Sequence, residues 1–248
     1  TDFQQPGVNN FGFVDGTFYD VIGSDSGAAA HTIQGDLANW TGTMNVQDGA
    51  LSIDAFQGAT SSGASVNTIR FFNSSYVSNA PGTSLVSITD VLVVNAGGIL
   101  QTTHAGNHVN RIEGGSLTTG LINTDGSTAD LIIHNWNPVR ALEIASVVAD
   151  NGSLARKLNL VLTGNGTTAI SAVNSYTGDT FVQGGVLRLD NVFALPVLTH
   201  LRLDGGVIGL NAGDFVRALG TGSGQVDWTS SGGFAAYTGD RTVNIGSG

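Results

Sequence analysis

The sequence predicts an all-β chain that winds as a β-solenoid, and three observations carry that expectation. Thirty-six glycines stand against a single lysine and two glutamates, Glu113 and Glu143, so surface helix formers are scarce. Valine, threonine, isoleucine and leucine dominate instead, in short runs separated by Gly, Asn, Asp and Ser turns. A strand, glycine pair, strand pattern recurs along the chain, and self-similarity of that kind marks repeat architectures.

The elements follow in order. Residues 1–35, with FGFVDGTFYDVIG, are expected to cap the N-terminal edge or to pair with a neighbour by strand addition. Residues 36–248 are expected to form the solenoid as one elongated domain. Its units are Val46–Ile53 around Gly49, Val94–Leu100 around Gly97 and Gly98, and Ile112–Leu117 around Gly114 and Gly115. Val182–Leu189 around Gly184 and Gly185 and Leu203–Leu210 around Gly205 and Gly206 complete the clear copies, and Ser231-Gly232-Gly233-Phe234 is a degenerate echo.

The second glycines of these units are separated by steps that suggest a period of about 20–25 residues. That gives about ten coils and, at 4.8 Å per strand, a rod of roughly 50 Å. Within a unit, alternation sends Leu187 and Leu189 to one face and Val186, Arg188 and Asp190 to the other. A glycine pair at the same place in each coil would let the backbone bend where a Cβ would clash. The stretch Val139–Val148 is the best helical candidate, yet its β-branched residues and the following Asp150-Asn151-Gly152 turn also fit a strand pair. A β-sandwich or jelly roll of many short strands remains the alternative architecture.

One stretch is more specific. Leu160-Val161-Leu162-Thr163-Gly164, then Asn174-Ser175-Tyr176-Thr177-Gly178-Asp179-Thr180, then Val182-Gln183-Gly184-Gly185-Val186-Leu187-Arg188-Leu189 closely resembles the autotransporter-associated β-strand repeat, also called the passenger-associated transport repeat. The clearest copy spans 159–191. Looser similarity covers Asn39-Trp40, Ala149–Gly152 and the stretch from Leu210 to Gly246. The resemblance implies a right-handed parallel β-helix, extracellular or on the bacterial outer cell surface. It departs from the autotransporter pattern in one respect: no segment resembles the C-terminal membrane β-barrel.

Composition narrows the partners. Nine basic residues against nineteen acidic ones give a net charge of −10, which repels a phosphate backbone, so no nucleic-acid partner is expected. No apolar run of roughly 18 residues could insert in a membrane, and Thr1 is not followed by a leader pattern, as expected of a mature product or a slice of something longer. Cysteine is absent, so neither disulfides nor thiolate metal sites are expected.

Parallel β-helices also carry polysaccharide lyases and hydrolases, so an enzyme is the competing class. Asn123-Thr124-Asp125 matches one element of the polygalacturonases, but no adjacent Asp-Asp, Gly-His-Gly or Arg-Ile-Lys accompanies it, and a turn is the simpler reading. The seventeen aspartates are spread singly, mostly at turns; no cofactor is expected beyond weak Ca2+ binding by aspartates aligned from different coils. His104 and His108 have metal-pair spacing for a helix, yet the intervening glycine and asparagine argue for a loop. Surface glycan contacts could come from Trp40, Trp136 and Trp228 if their rings are exposed, although core packing is the commoner use of tryptophan. The expected function is therefore a non-enzymatic structural or adhesive element: a cell-surface stalk or adhesin, or a filament or matrix subunit. Its expected partners are further copies added end to end, or glycans and proteins of a host or neighbouring cell.

Overall fold

The computed structural model describes residues 32–33, 37–48, 56, 58–72, 83–124, 126–152 and 155–246. Gly49, Asp125 and the expected cap, apart from Thr32–Ile33, lie outside them. The described chain is all-β, with two single-turn 3-10 helices as its only helical structure.

Strands run in order: β1 (Thr32–Ile33), β2 (Asn45–Gln47), β3 (Ala64–Phe71), β4 (Thr83–Gln101), β5 (Val109–Thr119), β6 (Thr128–Asn135), β7 (Leu142–Ile144), β8 (Val147–Val148) and β9 (Lys157–Gly164). They continue as β10 (Thr167–Ile170), β11 (Thr180–Val182), β12 (Val186–Leu189), β13 (Leu201–Leu203), β14 (Val207–Leu210), β15 (Phe215–Val216), β16 (Val226–Trp228), β17 (Gly233–Ala236) and β18 (Val243–Asn244). Sixteen of them form one curled sheet, and β15 pairs with β18 beside it. Every pairing between named strands is parallel.

From β9 onward consecutive strands do not pair with each other. β9, β11, β13 and β16 form one file; β10, β12, β14 and β17 form the other. Leu160 lies beside Thr180, Thr180 beside Leu201, and Leu201 beside Val226. In the second file Ile170, Leu189 and Leu210 stand beside one another. Parallel register superposes like side chains, so alternate residues build apolar columns. These columns merge into one core cluster running from Leu37 to Val226. As the alternation predicts, Leu187 and Leu189 are buried while Val186, Arg188 and Asp190 are half-buried. The helical candidate Val139–Val148 supplies β7 and β8 instead.

Two expectations need correction. The step between paired residues is not even: Ile99 meets Ile133 and Leu131 meets Leu160, whereas Leu160 meets Thr180 only 20 positions on. Excursions such as 120–127 and 149–156 lengthen the earlier connections, so an evenly spaced unit does not count the strands. The glycine pairs also occupy different places. Gly184-Gly185 and Gly205-Gly206 turn the chain from the first file to the second, at bends between strands. Gly98, by contrast, pairs with Ile132 inside the first file, and Gly114 pairs with Ile88 where β5 leaves the second.

Backbone crowding explains the corner glycines. Gly185 has φ +60°, and a Cβ there would run into the carbonyl of Gly166; a Cβ on Gly184 would lie 2.5 Å from the carbonyl oxygen of Gly164. Only glycine leaves room for one corner to sit directly on the next.

Candidate functional site

The most specific motif in the chain, NSYTGDT at 174–180, spends its polar groups on neighbouring strands. Buried Asn174 accepts from the Val148 amide at 2.8 Å and donates to the Ala194 carbonyl at 2.7 Å. The Tyr176 ring lies in the core and its hydroxyl reaches Thr180 Oγ1 at 2.7 Å; Thr180 in turn meets Thr199 Oγ1 at 3.0 Å. Burial pushes the Tyr176 phenol well above the ordinary tyrosine range, so it stays neutral. Thr177 binds the Asp150 carboxylate through both its amide (2.9 Å) and its hydroxyl (2.6 Å). The Asp179 amide donates to Asn159 Oδ1 at 2.9 Å.

Beside this motif lies the densest charged cluster on the outer face of the first file. Parallel register places Asp179 (preceding β11), His200 (preceding β13), and Arg202 and Asp227, which are paired on β13 and β16, within reach of one another. His200 is 3% exposed. Arg202 Nε donates to His200 Nδ1 at 3.1 Å, and His200 Nε2 lies 3.0 Å from Asp227 Oδ1. That second approach is close but misaligned as a hydrogen bond, so it is a polar contact. Asp179 Oδ2 completes the set, 3.8 Å from His200 Nδ1 and 3.7 Å from Arg202 Nη2. The Arg202 guanidinium also sits 5.3 Å from the Phe181 ring centroid.

Chemically, the cluster ties three successive strands together. The Arg202 bond assigns Nδ1 as acceptor in the neutral imidazole, leaving the Nε2 proton turned toward Asp227. With both ring nitrogens engaged and the ring covered, the imidazole presents no free nitrogen to a substrate. Its accessible groups are the Arg202 guanidinium and the Asp179 carboxylate, with Asp227 more covered.

This cluster was hidden in the sequence because its members lie 21 and 27 residues apart. The signal was nonetheless there: aligning DTFV, HLRL and QVDW at their strands stacks Asp179 on His200 and Arg202 on Asp227.

The second file carries a smaller network. Arg188 donates twice to the Asp190 carboxylate at 2.7 Å for each bond, Asn211 donates to Asp190 at 2.8 Å, and the bonds accepted by Asp190 raise the Arg188 guanidinium further. Tyr237 lies over Gly209, with Arg188 5.7 Å from its ring centroid.

The tryptophans divide. Trp40 is 5% exposed and packs edge-on against Phe56 with centroids 5.1 Å apart, so its ring has no face to offer a sugar, which removes it from the glycan contacts. Trp136 is half-buried against Leu100, Leu121 and Ile132, a small apolar cluster covered by the excursion after β5. Trp228 is half-buried against the core and 6.1 Å from Phe234. His104 stacks on Phe72 from a single 3-10 turn, Thr103–Ala105, where a loop was expected, and burial lowers the His108 imidazole below its ordinary value. Asn123 donates to Thr128 Oγ1 and Asp130 Oδ1, local bonds that serve the turn. Among the described residues no three His, Cys, Asp or Glu side chains group to hold a metal ion.

No family model, curated protein or solved structure matches this chain.

Proposed function

We propose that the chain is a right-handed parallel β-helix serving as a non-enzymatic structural or adhesive element outside the bacterial cell, either as a stalk or adhesin module or as a subunit that adds end to end. The observation that carries this reading is the alternating parallel register from β9 onward, in which β9 to β12 each pair with the next strand but one and β13 and β14 pair with β16 and β17. Winding of that kind stacks one circuit on another and leaves unpaired strands at the ends. The polar groups of NSYTGDT support it, because they stitch neighbouring circuits together. The resemblance of 159–191 to the autotransporter-associated repeat favours export and a surface location. β17 ends the strand order on one side, and strand addition by a further copy would extend the sheet there, whereas the edge of β16 is bridged at Val226 by Leu219. Trp136 and Trp228 remain the ring faces through which a glycan could be held.

Negative-stain images and light scattering of the purified chain test this reading. Rods, alone or joined end to end, are the expected result; a rounded particle with axes of similar length would overturn it.

A second reading, a carbohydrate-active enzyme, is favoured only by the Asp179, His200, Asp227 cluster. Incubation with a panel of acidic polysaccharides decides between them. Release of reducing or unsaturated ends that Asp227→Asn abolishes would establish the enzyme.

A further inference from the structure

The connection between β12 and β13, residues 191–199, reads NVFALPVLT. It buries Ala194 and Leu195 in the core but holds Val192, Phe193, Val197 and Leu198 outward. Val216 on β15 and Leu219 after it add to these, and the six side chains are 55% to 74% exposed. They lie on adjoining segments: Arg217 donates to the carbonyls of Thr199 and Pro196 at 2.5 and 2.7 Å, and Val192 lies against Gly213. Val173, on the preceding connection, continues the stripe, because Asn174 beside it is bonded to Ala194.

The loop is fixed in this arrangement. The Leu198 carbonyl accepts from both Ser223 Oγ and the Gly224 amide, at 2.7 and 3.0 Å, and Ala194 accepts from Asn174. A loop whose carbonyls are tied down presents its apolar side chains with little left to order, which favours association.

We propose that this stripe is the contact through which two copies of the chain pair side by side. The inference goes beyond end-to-end addition, uses a different surface and stands or falls separately from it. Area limits its strength: six side chains exposed to this degree present roughly 400–500 Å² of apolar surface, within the range of a monomer's largest patch and about half of what each partner gives a stable complex. With a polar rim around it, a reversible dimer in the micromolar range follows.

Chemistry selects the occupant. Residues 191–199 carry no charge. On the segment of Val216 the Arg217 guanidinium is turned onto the Thr199 and Pro196 carbonyls, and Asp214 accepts from the Thr242 amide. Two copies therefore meet at 191–199 without opposing like charges despite the net −10 of each chain. Sugars find nothing to orient them, since Asn191 Oδ1 accepts from the Phe193 amide and Thr199 Oγ1 donates to Gly178. Anionic membranes are repelled by the acidic chain. An apolar patch without charged side chains along 191–199 fits the two-fold pairing of identical subunits.

Sedimentation velocity of the full chain over a hundredfold concentration range tests the proposal. The expected result is a reversible dimer, weakened at least tenfold by Val197→Asp with Leu198→Asp while circular dichroism and melting temperature stay unchanged. Ala236→Lys, on the exposed end of β17, keeps the dimer and blocks any end-to-end growth. A monomer at every concentration, or a dimer indifferent to the two aspartates, overturns the proposal. So does a monomer that binds zwitterionic lipid vesicles through the same two residues.

Discussion

Asn174 shows how much a single side chain does in this chain. Its amide joins three consecutive segments, taking the Val148 proton and giving one to Ala194, in a position 6% exposed. Replacing it with alanine orphans a buried amide and a buried carbonyl, and we expect Asn174→Ala to cost about 2–4 kcal/mol in urea denaturation. Gly185 is equally constrained by its positive φ and by the carbonyl above which it sits. Gly185→Ala should lose at least about 3 kcal/mol, because strain and backbone overlap add. A loss below 1 kcal/mol in either variant would mean that the corner relaxes. His134 sets the acid response. Burial lowers its imidazole from 6.5 to about 4. The unfolded chain therefore takes up a proton as pH falls through 6.5, whereas the folded chain resists until about 4. Stability is full above pH 6.5 and declines toward pH 4, by up to about 3 kcal/mol from this group, with His108 acting in the same direction. Calorimetry from pH 7.5 to 4.5 should show a falling melting temperature, and His134→Gln should remove much of the slope.

At the scale of elements, legibility followed periodicity. Val186–Leu189 alternates so regularly that the buried and outer faces can be read directly, and the structure places Leu187 and Leu189 inward. The turn at Gly184-Gly185 was equally plain, since its glycines serve one local corner. The long strands β4 and β5 were not legible in this way. Both bend within themselves, at Gly97 and at Gly114-Gly115, so the same glycine signal that separates β11 from β12 lies inside one continuous strand there. A glycine pair reports that the chain bends; which side of the fold it bends between depends on pairing with strands distant in sequence. The outer cluster of Asp179, His200, Arg202 and Asp227 was hidden for a related reason, because contacts across strands require the register. Its energetic role can be separated from chemistry: Asp227→Asn removes the carboxylate that faces the Nε2 side of a buried ring, and we expect a loss of about 1 kcal/mol, read by the denaturation midpoint. A much larger loss would mean that the pair is worth more than a partly exposed contact.

For the whole molecule, stability is distributed along the sheet in a way that strand pairing sets. Each strand from β9 to β14 is bonded on both edges, whereas β17 is bonded on one and β16 meets on its far side only the short segment 218–220, through Val226. Side chains follow the same gradient: Leu160 and Leu201 are fully buried, Trp228 and Phe234 are half-buried, and both residues of β18 are exposed. Because each circuit leans on its neighbours alone, opening at this end disrupts few contacts elsewhere and costs less than global unfolding. Hydrogen exchange of the full chain should therefore show the amides of β16, β17 and β18 exchanging first. Those of β13 and β14 should follow, and β6, β9 and β10 should be slowest, approaching the protection of the global transition. Joining of copies at this end would reverse the order there, slowing β16 and β17 as protein concentration rises. Side-by-side pairing through the 191–199 stripe would instead protect the connection from β12 to β13 and leave β17 unchanged. Uniform protection from β6 to β18 would contradict the gradient, and would mean that the strands open as a single cooperative unit.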